Sequence, residues 1–170
     1  MTHISVTHLF NAPINEVFEA VINADKYPYV SRLIHVERVR HASATEKDGV
    51  GTMREVELGV MWFKEEFTAF QRPTQVDYKI LEARPYFEHQ AGSFCFKKRG
   101  IMTEVTWSST FHVPSSWQPR LVSTVSGWVA KAACIMVLDK RLQASRQLEL
   151  KARLLYSKYY HKREGGGGFQ

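Results

Sequence analysis

The stretch GTMREVELGVMWFKEEFTAF, Gly51 to Phe70, alternates apolar and polar residues on both sides of Gly59 and Val60, the pattern of two strands joined by a two-residue turn. With that turn, Leu58 faces Met61, Val56 faces Phe63 and Arg54 faces Glu65 across the ladder. The side carrying Val56, Phe63 and Phe67 is apolar, and yet Arg54 and Glu65 stand on it. Two charges withdrawn from water are costly unless they pair, so an inward Arg54 and Glu65 are expected to form a hydrogen-bonded ion pair. Two other arrangements stay open. The pair could face water at the strand ends, or a one-residue slip could bring Met53, Glu55 and Glu57 inward.

Outward from this hairpin the period stays at two. Segments 35–42, 76–84, 87–98 and 101–113 alternate in the same way, and the last two are expected to pair through a turn at Arg99 and Gly100. That turn sets Phe96 against Thr103, Phe94 against Val105, Gly92 against Trp107 and Gln90 against Ser109. Upstream, HISVTHLF reads as a further strand. NAPINEVFEAVI reads as a short amphipathic helix, with Asn11 placed to cap, Pro13 in the first turn and Ile14, Val17, Phe18 and Val21 on one stripe. Pro28 restarts the chain, so Asp25 to Ser31 is expected to form a second short helix. Beyond Pro114 and Pro119 the period lengthens. Leu121, Val125, Trp128, Val129, Ala132, Ile135, Met136 and Leu142 fall on one broad stripe, which predicts a long closing helix.

The chain has 170 residues, enough for one domain built around a core or a cavity. Two widely separated cysteines, Cys95 and Cys134, argue against a disulfide framework or zinc site and fit small core fillers in a reducing, cytoplasmic setting. The alternating N-terminus lacks the basic flank and apolar block of an export signal, and no apolar run reaches membrane-spanning length, so a soluble protein is expected. The net charge of +6 is localised. Eight of the 23 Lys and Arg residues and two of the 17 Asp and Glu residues lie between Lys140 and Glu164, leaving fifteen of each sign elsewhere. A neutral body without basic faces interleaved with aromatics argues against nucleic acid as the partner.

The order of elements, with APINEVFEAVINADKYPYV, GVGTMREVEL, FKEEFTAFQRP, ARPYF and MTEVTWSSTF in sequence, resembles the START-like helix-grip superfamily, also called SRPBCC. The closest resemblance is to its polyketide cyclase/dehydrase and coenzyme Q-binding branch. One departure is KKRGIMTEV, where the branch usually has a double-glycine turn followed by threonine. The resemblance implies an α+β fold: a curved antiparallel sheet of about seven strands wrapped around a long C-terminal helix, with two short helices after the first strand. It also implies a hydrophobic cavity between sheet and helix. On this reading residues 1–145 are the domain, 146–164 a basic helical extension and 165–170 a flexible tail or an artificial remnant.

The expected cavity wall combines Val56, Phe63, Phe67, Tyr78, Phe94 and Trp107 with the polar points Arg54, Glu65, Gln90 and Ser109. Trp128, Ala132 and Met136 would face it from the long helix. Tyr78 and Trp107 could equally be ordinary core aromatics. The histidines, including His89 and His112, read as surface or internally satisfied polar residues. No Rieske-type or His-Glu-x-x-His pattern occurs, so no metal or cofactor is expected. The favoured function is binding of a hydrophobic small molecule of polyketide, isoprenoid quinone or lipid type. The alternative is a cofactor-free polyketide cyclase or aromatase, with Arg54 stabilising an enolate oxygen and Glu65 or Tyr78 moving a proton. The extension, with Leu148, Ala152, Leu155 and Tyr159 on one side and basic residues around them, fits a solvated helical end, a homodimer contact, a protein contact or a peripheral contact with an anionic membrane.

Overall fold

The computed structural model describes residues 1–25, 34–58, 61–112 and, further on, 143, 146, 147, 150, 151, 153 and 154. The expected long helix with Trp128, Ala132 and Met136, the glycine-rich end, and all but Asp25 of the second short helix lie outside the described residues. The seven described residues between 143 and 154 are helical.

Seven strands form one antiparallel, curved sheet: β1 (Thr2–Phe10), β2 (Ile34–Arg40), β3 (Met53–Leu58), β4 (Met61–Gln71), β5 (Gln75–Arg84), β6 (Glu88–Arg99) and β7 (Met102–His112). Their order is β1-β7-β6-β5-β4-β3-β2, so β2 to β7 make a meander and β1 closes onto its far edge. One helix, α1 (Ile14–Ile22), lies in the chain between the two edge strands β1 and β2. Strands of ten to twelve residues follow a curved sheet because bulges interrupt their ladders. Register shifts occur at Lys64/Glu65, Phe67/Ala69 and His89/Ala91.

The hairpin that decided the fold has the expected register: Leu58 opposite Met61, Val56 opposite Phe63, Arg54 opposite Glu65. The β6–β7 hairpin differs. Arg99 pairs with Met102, which puts Gly100 and Ile101 in the turn rather than Arg99 and Gly100. The reason is steric. Two-residue hairpin turns need a positive φ at their first central residue, and Gly100 supplies φ 65° without the clash a Cβ at Arg99 would bring. The ladder therefore slides by one pair, bringing Phe96 opposite Val105, Phe94 opposite Trp107 and Gly92 opposite Ser109. Such a slide leaves each side chain on the face expected of it.

The inner face packs on α1. Val17, Phe18, Val21 and Ile22 are buried against Phe67, Val76, Phe96 and Val105, and the Phe18 ring lies 5.0 Å from Phe96 and 5.7 Å from Phe70. The helix begins after Pro13, which makes no side-chain cap. Asn11 stands two residues too early to serve as the expected cap. Instead its carbonyl accepts a hydrogen bond from Arg146, whose guanidinium also lies 3.3 Å from Glu16.

The C-terminal end of α1 has no basic residue of its own, and the sheet supplies two. Arg54 Nη1 donates to the Ile22 carbonyl at 2.7 Å. Its ladder neighbour Arg38 donates to Asp48 at 2.8 and 2.9 Å and to Asp25 at 2.8 Å. Arg54 thus meets the negative end of the helix dipole, where carbonyls lack helical partners, while Arg38 reaches the side chain of the C-cap Asn23 at 3.4 Å.

For Asp25, desolvation pushes its pKa up, but hydrogen bonds from Arg38 and Lys47 outweigh this and hold it below the usual 3.8. Its contribution is therefore complete above that value and lost as pH falls through the lower folded one. Asp25→Asn should be less stable than the parent near neutral pH, by under about 1 kcal/mol because the carboxylate is half exposed. In denaturant titrations repeated down the pH scale, the two curves should converge in acid.

Candidate ligand-binding site on the inner sheet face

Alternation places one set of side chains on the concave side: Phe63, Glu65 and Phe67 from β4, Tyr78 and Ile80 from β5, Phe94 from β6, Trp107 and Ser109 from β7. Val56, Arg54, Glu65, Phe67, Tyr78 and Ser109 are buried, whereas Phe63, Phe94 and Trp107 are half-buried. The alternative slip does not occur: Glu55 pairs with Lys64 at 3.3 Å on the opposite face. Gln90 departs from expectation. It is the unpaired residue of the β6 bulge and is exposed, and His89 takes the inward place.

The two charges of the opening hairpin make a closed unit. Arg54 Nε donates to Glu65 Oε1 at 2.8 Å, Nη2 donates to the same oxygen, Nη1 goes to α1, and the guanidinium carbon lies 4.7 Å from the centre of the Phe67 ring. Both residues are 3% exposed, so neither charge is relieved by water. This geometry suits a fixed electrostatic anchor.

Beside it runs a chain of polar rings and hydroxyls. The β5–β6 ladder ends at Tyr78 and Gly92, and at the next donor, Ile80 N–H, the imidazole of His89 takes the place of a backbone carbonyl, accepting at Nδ1 over 3.0 Å. That bond fixes the tautomer. With Nδ1 accepting, the ring proton is on Nε2, which donates to Ser109 Oγ at 3.1 Å. Trp107 Nε1–H donates to the Tyr78 hydroxyl at 2.5 Å. The rings stack: Tyr78 on His89 at 5.4 Å, Phe94 on Trp107 at 5.6 Å. Tyr78 lies flat over Gly92, where a Cβ would come within 2.2 Å of the ring. Glycine at 92 is thus a condition for the ring's position.

Burial drives the Tyr78 phenol well above its ordinary pKa, and the nearby Glu65 carboxylate adds to this; the hydrogen bonds from Trp107 and Ser109 oppose it without cancelling it. At neutral pH Tyr78 is a hydroxyl that gives and accepts hydrogen bonds, not a base. His89 was legible in the sequence as a satisfied polar residue, but not as part of the wall. The available signal was a phase change. Phe87 and His89 fall on odd positions, Phe94 and Phe96 on even ones, and only an extra residue between them lets both sets face inward.

The family model described as polyketide cyclase / dehydrase and lipid transport matches residues 1–147. The chain belongs to that family. With it goes membership of the START-like superfamily, and the solved structures it is similar to agree in fold. Ara h 8.0201 is 16% identical with a TM-score of 0.64, covering 84% of this chain and 98% of that one. TTHA0849 from Thermus thermophilus is 16% identical with a TM-score of 0.61, covering 85% and 99%. DynU16, a protein of the dynemicin biosynthetic locus, is 14% identical with a TM-score of 0.60, covering 84% of this chain and 48% of that one. No curated protein sequence matches. At these identities the structures speak for the fold alone, and the family description spans both hydrophobic binding and cyclisation.

If the Arg54–Glu65 unit is an anchor, removing either member leaves an uncompensated buried charge. Arg54→Met or Glu65→Gln should each destabilise by roughly 3–5 kcal/mol, and the double replacement should cost less than the two single costs added together. Chemical denaturation of the four proteins of the cycle measures this. Near-zero, additive effects would remove the anchor.

Proposed function

We propose that the protein binds and shelters a hydrophobic small molecule, of polyketide, isoprenoid quinone or lipid type, between the inner sheet face and the helix expected over 121–142. The observation that carries this reading is the contrast along the wall. Its polar side chains are engaged with one another, no buried side-chain nitrogen or oxygen among the described residues lacks a partner, and yet Phe63, Phe94 and Trp107 remain half-buried. Aromatic area with a few oriented polar groups is the usual composition of a small-molecule site. Cyclisation in the same cavity is the competing reading for this family. It would need Glu65 released from Arg54, or Tyr78 as a base against its raised pKa.

A hydrophobic fluorescent dye should bind with micromolar affinity, about 8 kcal/mol, and Trp107→Ala or Phe63→Ala should weaken it roughly tenfold without unfolding the protein. Dye titration checked by circular dichroism decides. A protein that binds no dye is neither carrier nor cyclase, and one that converts a poly-ketone surrogate with turnover is a cyclase.

The basic extension after the domain, residues 146–164, has a separate proposed role as a peripheral contact with an anionic membrane. Leu150 and Leu154, four apart on a helix and on the side opposite the stripe of Leu148, Ala152, Leu155 and Tyr159 by helical spacing, are 60% and 61% exposed, and Lys151 and Arg153 fall to either side of them. Six Lys and Arg residues against two Glu in this segment give it four of the six excess positive charges of the chain. No helix among the described residues is long and apolar enough to cross a membrane. Anionic vesicles should pull down the full chain at low salt, and Lys151→Glu with Arg153→Glu should reduce that binding at least tenfold, each basic residue being worth about 1 kcal/mol. Partitioning that is unchanged by the reversal, or self-association without lipid binding, would discard the membrane.

A further inference from the structure

The tip of the β6–β7 hairpin carries a residue that its turn does not require. A two-residue turn of this kind asks for glycine at its first central position, and Gly100 supplies it. No non-glycine residue among those described has a positive φ, so Ile101 stands in ordinary backbone that a serine or asparagine would fill as well. Ile101 is instead 81% exposed, more than any other large apolar residue described. It does nothing for the core. Leu9, opposite Glu104 on β1, is a second exposed aliphatic side chain close to the tip.

Around this apex the charge is of one sign. Lys97, Lys98 and Arg99 run into the turn and all are exposed, and as consecutive strand residues they leave the sheet on both faces. The one carboxylate of the hairpin end, Glu104, lies opposite Lys97 and accepts from Arg99 at 3.0 and 3.3 Å. Three cations thus face one anion. The same end of the fold also receives the start of the basic extension. Thr103, opposite Lys98, donates to the Ala12 carbonyl at 2.8 Å, and the neighbouring Asn11 carbonyl accepts from Arg146, itself paired with Glu16.

We infer that this hairpin tip docks on an anionic phospholipid bilayer, with Ile101 entering the boundary between headgroups and acyl chains while Lys97, Lys98 and Arg99 meet the phosphates around it. It is a different element from the 146–164 extension and stands on its own residues, whether or not the extension binds lipid. The apex decides among polyanions. A nucleic-acid backbone would reward the three cations but offer nothing to an isoleucine at their centre. A bilayer receives both, because lysine stems lie along the apolar boundary with their ammonium groups turned back to the headgroups. The Arg99–Glu104 pair is exposed, so exchanging it for a phosphate costs little.

The test uses the full chain and vesicles of phosphatidylcholine and phosphatidylglycerol, read by co-sedimentation. Lys97→Glu with Lys98→Glu should weaken binding at least tenfold at low salt and by less at high salt. Ile101→Ser should weaken it roughly fivefold at either salt, a loss that general electrostatic attraction would not produce. Lys79→Glu reverses an exposed lysine in the middle of β5 and should change nothing. All four positions are exposed, so circular dichroism should match the parent throughout. In Ile101→Trp, lipids brominated on their acyl chains should quench fluorescence beyond the quenching of the parent. Parental binding by Ile101→Ser, no added quenching in Ile101→Trp, or tighter binding of duplex RNA than of vesicles would each overturn the inference. If Lys151→Glu with Arg153→Glu abolishes vesicle binding while the hairpin variants bind as the parent does, the extension keeps its membrane contact and the hairpin loses this one. Dye binding in the cavity is measured separately and should be the parent's in every hairpin variant, so the hydrophobic-ligand reading stands or falls apart from this result.

Discussion

The structure is organised around the need to satisfy the carbonyl end of one short helix from a sheet. Helix α1 ends without a cation in its last turn, and Arg54 reaches it from the start of β3 while holding Glu65 across the ladder. A guanidinium can do both because its donors point in several directions in one plane. Once Arg54 is fixed, so is the height of α1 above β3 and β4, and with it the packing of Phe18 and Ile22 into the core. Arg38 repeats the arrangement one strand further out with Asp48 and Asp25, so the helix end rests on a row of charges rather than on one contact. The energetic consequence is asymmetric. Each pair adds modestly while whole, but breaking one exposes a desolvation cost that nothing nearby can offset.

Away from that anchor the inner wall follows a different logic. Its polar groups belong to rings and hydroxyls, without formal charge, and they lie side by side across β5, β6 and β7. Aromatic stacking sets their planes, and Gly92 leaves room for Tyr78 to lie flat. The wall is stiff for this reason, since Tyr78 is held from below by the backbone, from the side by His89 and at its tip by Trp107. Stiffness lowers the ordering cost of binding, so the half-buried rings present their area in one arrangement.

The sequence carried the architecture because each strand alternates cleanly and each turn is short. The β3–β4 register followed from counting outward from a two-residue turn, and Arg54 and Glu65 met where the count placed them. At β6–β7 the same counting went astray by one pair, since it placed the turn without asking which residue could adopt a positive φ. Membership of the inner face survived, because that displacement preserves parity. Two features escaped for physical reasons. The contact of Arg54 with Ile22 spans 32 residues and leaves no periodic trace. The inward turn of His89, with Gln90 sent outward, depends on a bulge, and a bulge is a local excess that alternation alone reads as a continuing strand.

The bulge at Gln90 has an evolutionary corollary. Its extra residue is let out to solvent, so the ladder on either side closes as though it were absent: His89 still opposes Phe111 and Ala91 still opposes Thr110. A single codon lost there would leave the same side chains on the inner face and change mainly the bend of the strand. A codon gained or lost at a regular position, such as Ser93, would instead exchange the two faces over the rest of β6. Relatives that differ by one residue in this strand can therefore share an identical inner face, while relatives of equal length need not.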